Sequence, residues 1–122
     1  MRYLIVFGAG GLGSVARYLV SLATADAAGD FPRGTLIVNV VGSFLIAVVL
    51  ELALRKTWSP QISLGLATGF MGGFTTYSAF NYQTTQLALD GAMAKAALNV
   101  AVTLVACLAA GLLGLMLARR IV

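Results

Sequence analysis

Histidine is absent from this chain of 122 residues, and cysteine occurs once, as Cys107. A single cysteine cannot close a disulfide within the chain, and without histidine there is no His/Cys cluster to hold a metal ion. Cys107 stands in an apolar run, where a free cysteine usually packs as a small hydrophobic residue. No nucleophile is paired with a base in the sequence, so we predict that the protein is not an enzyme.

Charged residues are also scarce, at 10% of the chain, whereas 60% of the residues are hydrophobic. Soluble domains carry about 25% charged residues, so the composition predicts an integral membrane protein embedded in a lipid bilayer. The length allows about four membrane helices in a single domain, residues 1–122. The net charge of +4 comes without a basic run of the kind that binds nucleic acid, and we predict no nucleic-acid partner.

Apolar segments divide the chain into four predicted spans. They run from Tyr3 to about Ala25, from Gly34 to about Leu54, from Thr57 to Leu89 and from about Ala92 to Ala118. A polar loop, Asp26 to Arg33, joins the first two spans.

Basic residues are distributed unequally between the two predicted membrane sides. Four spans place both termini and the second connection on one side, which carries Arg2, Arg55, Lys56, Arg119 and Arg120. The opposite side carries only Arg33 and Lys95. The positive-inside rule therefore predicts that both termini are cytoplasmic.

The third segment has no charged residue, yet it is longer than the roughly 20 residues that a helix needs to cross a bilayer. Its middle places glycine, hydroxyl and aromatic residues in close order, in the run Gly69-Phe70-Met71-Gly72-Gly73-Phe74-Thr75-Thr76-Tyr77-Ser78-Ala79-Phe80. Irregular backbone at membrane depth persists only where protein or a watery cavity lines it. We therefore expect the function to lie in this segment.

The first span contains a nucleotide-binding pattern without its context. Residues 8–13 match G-x-G-x-x-G, but a dinucleotide site needs alternating strands and amphipathic helices, which the long apolar runs exclude. Small residues four apart instead let helix backbones approach closely in lipid. Such pairs are Gly10 and Ser14, Gly69 and Gly73, and Ala110 and Gly114.

Polar side chains inside the spans either bond to other helices or line a path for a solute. Asn39 lies in the second span, and Asn99, Thr103 and Cys107 share one face of the fourth at i, i+4 and i+8. Interhelical hydrogen bonds would account for Asn39, and bonding to its own backbone for Thr103. The alternative is a pore, because the Asn39 amide carries two N–H donors that can face an anion.

Arg17 is the only basic residue inside a span, and it either snorkels to the headgroups or attracts anions in a vestibule. Tyr77 and Phe80 share a helical face, either as packing aromatics or as rings whose positive edges contact a bare anion. Glu51 is the only acid within a span, whereas proton-coupled transporters usually need intramembrane carboxylates. Because conduction requires weak, successive contacts, these residues favour passive movement of a small anion.

Three motifs follow one another along the chain. They are Gly10-Gly11-x-Gly13-Ser14-x-x-Arg17-Tyr18, Gly34-Thr35-Leu36-x-x-Asn39-x-x-Gly42-Ser43-Phe44 and Gly69-Phe70-x-Gly72-Gly73-Phe74-Thr75-Thr76-Tyr77-Ser78-x-Phe80. In this order they resemble the Fluc (CrcB-type) fluoride channels over essentially the whole chain. The chain departs from that pattern at Tyr77, where phenylalanine is usual, and at Gln83, where glutamate is frequent.

The resemblance implies an all-α membrane channel of four transmembrane helices, the third broken near Gly72–Thr76. It implies an antiparallel, dual-topology homodimer in the plasma (inner) membrane, although some family members pair unequal subunits. A structural Na⁺ would lie at the dimer centre, held by the backbone carbonyls of Gly72 and Thr75.

The same resemblance implies two pores per dimer that export toxic fluoride from the cytoplasm. Each pore would be lined by Asn39, Tyr77, Ser78, Phe80 and Thr103, with Arg17 in an anion vestibule. Two alternatives stay open. A small four-helix multidrug or cation exporter normally needs a glutamate in its first span, which this chain lacks. A non-conducting assembly subunit would fold normally without ion flux.

Overall fold

Helices make up the described part of this computed structural model, which covers residues 1–25 and 30–121. The α-helices are α1 (Arg2–Thr24), α2 (Arg33–Leu54), α3 (Pro60–Leu64), α4 (Gly72–Phe74), α5 (Tyr77–Leu89) and α6 (Met93–Ile121), and a π-helix, Gly65–Met71, joins α3 to α4. No strand occurs among the described residues. Within the predicted loop from Asp26 to Arg33, residues 26–29 lie outside the described residues. The predicted all-α fold is confirmed.

Three of the helices, α1, α2 and α6, are long and apolar enough to cross a membrane. Large hydrophobic side chains are exposed along them, including Phe7 at 82% and Leu108 at 74%. Leaving apolar area in water is unfavourable by about 25 cal/mol per Å², whereas lipid accommodates it. The chain is a multi-pass helical membrane protein, as the composition predicts.

Contacts between α1, α2 and α6 define their relative directions. Gly34, at the start of α2, lies against Thr24 at the end of α1, so these two helices are antiparallel. In contrast, α2 and α6 are parallel, because Gly111 approaches Ser43 and, further along both helices, Arg119 hydrogen-bonds to Glu51. The N-terminus, the α2–α3 connection and the C-terminus of α6 therefore share one end of the molecule.

A stripe of glycines spaced four apart, Gly65, Gly69 and Gly73, packs the π-helix and α4 against α1. A Cβ added to Gly65 would lie 3.1 Å from Ile5, one on Gly69 would lie 2.6 Å from the Cβ of Ala9, and one on Gly73 would meet the Gly10 carbonyl. Glycines four residues apart drift around an α-helix in one direction, because an α-turn has 3.6 residues, and around the wider π-helix in the opposite direction. A π-helix followed by an α-helix therefore keeps all three glycines facing α1. The spacing predicted from the sequence thus produces close backbone approach.

The third apolar segment is interrupted between α4 and α5. Thr75 and Thr76 have extended backbone, with ψ of 154° and 109°, while Gly72 and Gly73 remain in the last turn of α4. The Thr75 N–H and hydroxyl both donate to the Met71 carbonyl, at 3.0 and 2.9 Å. The Thr76 hydroxyl caps α5 by accepting the Ala79 N–H at 3.2 Å. A threonine thus supplies local hydrogen bonds at the end of α4 and at the start of α5.

Replacement of Gly13 by alanine is expected to destabilise the protein by about 2 kcal/mol, as overpacking does. The new Cβ would meet the Phe70 carbonyl and lie 3.0 Å from the Phe74 amide nitrogen, both of which are backbone atoms. Gly11→Ala is the matched control, because it lies on the same helix with nothing within 4 Å of the added Cβ. Thermal unfolding in detergent should show a lower midpoint for Gly13→Ala only. Equal midpoints for the two variants would contradict the close packing.

Candidate functional site

Asn39 of α2 holds the interruption through a two-way hydrogen bond with Thr76. The Thr76 N–H donates to Asn39 Oδ1 at 2.8 Å, and Asn39 Nδ2 donates to the Thr76 carbonyl at 3.1 Å. The side-chain amide therefore substitutes for a neighbouring backbone at two residues that have left their helix. This is the interhelical bond that the sequence offered as one alternative. The nitrogen has a second N–H, for which no acceptor is found among the described residues.

The last two glycine carbonyls of α4 differ in their hydrogen bonds. In a continuous helix the Gly72 carbonyl would accept the N–H of Thr76, but that N–H donates to Asn39 instead. The Gly73 carbonyl accepts from Arg17 Nε at 3.1 Å. Gly72 is exposed, and a Cβ built there has nothing within 4 Å. The Gly72 carbonyl is therefore left without its helical donor at the negative end of a helix dipole. Backbone carbonyls are among the oxygen ligands that hard cations accept.

A groove of about 520 Å³ runs beside this interruption, between α2, α6 and the third segment. Most of the predicted pore and cation residues meet in it. The groove is lined by Asn39, Gly42, Ser43, Ile46, Ala67, Met71, Gly72, Thr75, Thr76, Tyr77, Phe80, Thr103, Leu104, Cys107 and Leu108. The lining contains no acidic or basic side chain, so the polar atoms that it offers are amides, hydroxyls, a thiol and carbonyls.

Two aromatic rings stand at the α5 side of the groove. The Tyr77 and Phe80 centroids are 5.7 Å apart and the ring planes are tilted by 51°. Tyr77 is 77% exposed, whereas Phe80 is half-buried. Tilted rings present edges as well as faces, and the edges carry the partial positive charge that an anion can contact.

Two predicted site residues lie apart from the groove. Ser78 is exposed and its hydroxyl is 3.2 Å from that of Thr76, but it does not line the groove. Arg17 lines a second cavity of about 260 Å³, which also contains Thr35 and Gln83. Thr76 lines both spaces. The structure therefore places Arg17 and the aromatic pair on different sides of the interruption.

A chain of hydrogen bonds ties the predicted polar face of α6 to α5. Asn99 Nδ2 donates to the Thr84 hydroxyl at 2.8 Å, and that hydroxyl donates to the Phe80 carbonyl at 2.7 Å. Thr103 donates to Asn99 Oδ1 at 3.4 Å. Asn99 and Thr103 are buried, at 1% and 8% exposure. These hydrogen bonds hold the turn of α5 that carries the Phe80 ring.

Sequence reasoning missed Thr84, although a threonine four residues after Phe80 is a recognisable signal for back-bonding to its carbonyl. It also predicted no contact for the Gln83 side chain. The buried Gln83 Oε1 atom has no hydrogen-bond partner in the part of the chain that the structure describes, and its residue lines the cavity beside Arg17.

Comparison with known proteins gives consistent matches over nearly the full length. The family model described as CrcB-like protein, Camphor Resistance (CrcB), matches residues 4–115. The chain is similar to proteins named fluoride-specific ion channel FluC from several organisms. The relative from Geobacter sulfurreducens is 48% identical over 120 residues, covering 97% of this chain and 95% of that protein. The relative from Anaeromyxobacter dehalogenans is 49% identical with the same coverage.

A relative from Gloeothece citriformis, with the same name, is 50% identical over 86 residues, or 70% of each chain. The names of these relatives describe ion channels rather than enzymes, in agreement with the prediction from the residues. Together with the family-model match and the helical membrane fold, they show that this chain belongs to the CrcB family.

Proposed function

We propose that the protein is a passive, fluoride-selective ion channel that releases toxic fluoride from the cytoplasm across the plasma (inner) membrane. The observation that carries the proposal is the groove, which brings the Asn39 amide, the Tyr77–Phe80 rings and the Thr103 hydroxyl together beside an uncharged lining. Relatives that match 97% of the chain are named fluoride-specific channels.

Desolvation is the physical problem that this lining addresses. A small anion that leaves water needs replacement donors, and conduction also requires that no single site holds the ion strongly. The second Asn39 N–H and the ring edges are weak, separate donors of this kind. The Thr103 hydroxyl, whose proton is donated to Asn99 Oδ1, lines the same groove. The lining carries no titratable acid or base other than the Cys107 thiol and the Tyr77 phenol, and this supports passive movement over coupling to protons.

The proposed functional unit is an antiparallel, dual-topology homodimer with two pores. In each copy α3, the π-helix, α4 and α5 would cross the membrane together as one span broken at Thr75 and Thr76. The groove is not enclosed, and many large apolar side chains are exposed, including Tyr77. A second copy would cover part of this surface. Ser78 and Arg17 belong to the proposal as a pore hydroxyl and as the charge that attracts anions into the vestibule.

Na⁺ would have a structural role at the centre of the dimer, held by the carbonyls of Gly72 and Thr75 from each copy. The Gly72 carbonyl has lost its helical N–H to the Asn39 bond, and Thr75 has extended backbone immediately after the helix. Two carbonyls per copy give four oxygen ligands in a symmetric pair. When bound, the ion supplies positive charge at two helix C-termini that would otherwise face each other unfavourably.

Substitution of Asn39 by aspartate is expected to abolish fluoride efflux from liposomes. The change removes the donors and places a negative charge beside the groove, where repulsion of an anion at 4 Å is about 4 kcal/mol at an effective dielectric of 20. That corresponds to roughly a thousand-fold loss. A fluoride electrode measures the efflux, and gel filtration checks that the variant keeps its assembly. Efflux at the wild-type rate would exclude Asn39 from the pore.

Removal of the Phe80 ring, in Phe80→Ala, is also expected to abolish measurable efflux, because the ring edge lining the groove is lost. Phe7→Ala is the matched control, since Phe7 is 82% exposed on α1 and does not line the groove. The same electrode assay should report normal efflux for the control. If both variants conduct equally, the aromatic pair has a packing role only.

Replacement of Na⁺ by a bulky organic cation is expected to weaken the dimer, because the facing carbonyls would then repel one another. Dimer and monomer fractions after dilution in detergent can be measured by gel filtration in each salt at equal ionic strength. A dimer fraction that is indifferent to the cation would argue against the central ion, while leaving the pore assignment to the two efflux assays.

A further inference from the structure

Two arginines from distant parts of the chain meet on one buried carboxylate at the end where α2 and α6 finish. Glu51 Oε1 accepts from Arg55 Nε at 3.1 Å and from Arg119 Nε at 3.4 Å. The Glu51 side chain is only 9% exposed, whereas those of Arg55 and Arg119 are 45% and 62% exposed. Because one carboxylate pairs with two guanidinium groups, the cluster retains a net positive charge.

The geometry leaves donors for a further partner. Each guanidinium carries five N–H groups, and the bonds to Glu51 use the Nε of each arginine. Holding both Nε atoms on the same oxygen brings the two guanidinium groups side by side before any ligand arrives. Paired guanidinium groups are well matched to the oxygens of a phosphate, which they bind bidentately.

Three further basic residues lie at the same end of the molecule as this pair. They are Arg2, Lys56 and Arg120, and all three are exposed. Among the described residues Glu51 is the one acid at that end, because Asp30 and Asp90 fall in the α1–α2 and α5–α6 connections at the other end. Five cationic side chains therefore stand against one buried acid.

The position of this cluster relative to the membrane indicates which kind of phosphate it would meet. The cluster lies at the ends of two apolar helices, α2 and α6, that are long enough to span a bilayer. Trp58, in the adjoining α2–α3 connection, is half-buried, and tryptophan is enriched at membrane interfaces. This level is occupied by lipid headgroups, and clustered Lys and Arg at such a level attract anionic lipids.

We propose that Arg55 and Arg119, oriented by Glu51, form a binding site for the phosphodiester of an anionic phospholipid. The bound headgroup bridges the end of α2 to the end of α6 and stabilises this parallel helix pair. Arg2, Lys56 and Arg120 add attraction over a wider area. The site is independent of which ion the groove conducts, since none of its residues lines the groove.

The test compares the thermal unfolding midpoint of the full-length protein in zwitterionic detergent with phosphatidylglycerol or phosphatidylcholine added. We expect phosphatidylglycerol to raise the wild-type midpoint by roughly 4 °C and phosphatidylcholine to leave it unchanged. Glycerol phosphate at the same concentration separates a lipid from a soluble phosphate, and it should produce no shift.

The informative variant is the triple substitution Glu51→Gln, Arg55→Gln, Arg119→Gln, which removes the site without leaving a buried charge unpaired. Its net charge falls by one, as does that of the control Lys95→Gln at the other end. The triple variant should lose the shift with phosphatidylglycerol, and the control should retain it. An equal shift in the triple variant and the wild type, or a shift with glycerol phosphate as large as that with the lipid, would overturn the proposal.

Discussion

The two-way hydrogen bond between Asn39 and Thr76 is the interaction on which the rest of the site depends. Two residues in extended conformation within an apolar segment expose backbone groups that lipid cannot satisfy. Asn39 supplies both a donor and an acceptor to Thr76. In doing so it takes the N–H that the Gly72 carbonyl would otherwise receive. A single amide thus permits the interruption and leaves the Gly72 carbonyl without its helical donor.

Close backbone packing against α1 restrains the segment on the other side of that bond. Gly13 lies against Phe70 and Phe74, and Gly73 lies against Gly10 and Ser14. Arg17, which also lies on α1, donates a hydrogen bond to the Gly73 carbonyl. The C-terminus of α4 is therefore held by α1 and α2 together, and the position of Tyr77 and Phe80 follows from where that helix ends.

Much of this arrangement follows from local features of the sequence. Hydrophobic runs predict α1, α2 and α6, and the Ser59-Pro60 pair marks the start of α3, where the Ser59 hydroxyl accepts the Ile62 N–H at 3.3 Å. The polar face of Asn99 and Thr103 is a consequence of helical periodicity. Other features could not be predicted this way. The bond from Asn39 joins residues 37 positions apart, and the π-helix, Gly65–Met71, departs from the periodicity on which such predictions rest.

By itself, the sequence determined that the protein lies in lipid, how many apolar segments it has, its shortage of titratable groups and the motifs of the CrcB family. These features follow from composition and spacing, which are properties of the chain. Only the tertiary structure decided which polar groups meet. It placed Ser78 and Arg17 away from the groove, joined Thr84 to Asn99, and brought Arg55 and Arg119 onto the same Glu51 oxygen. Side-chain partners across helices depend on packing, and packing here is set by where glycines let backbones approach.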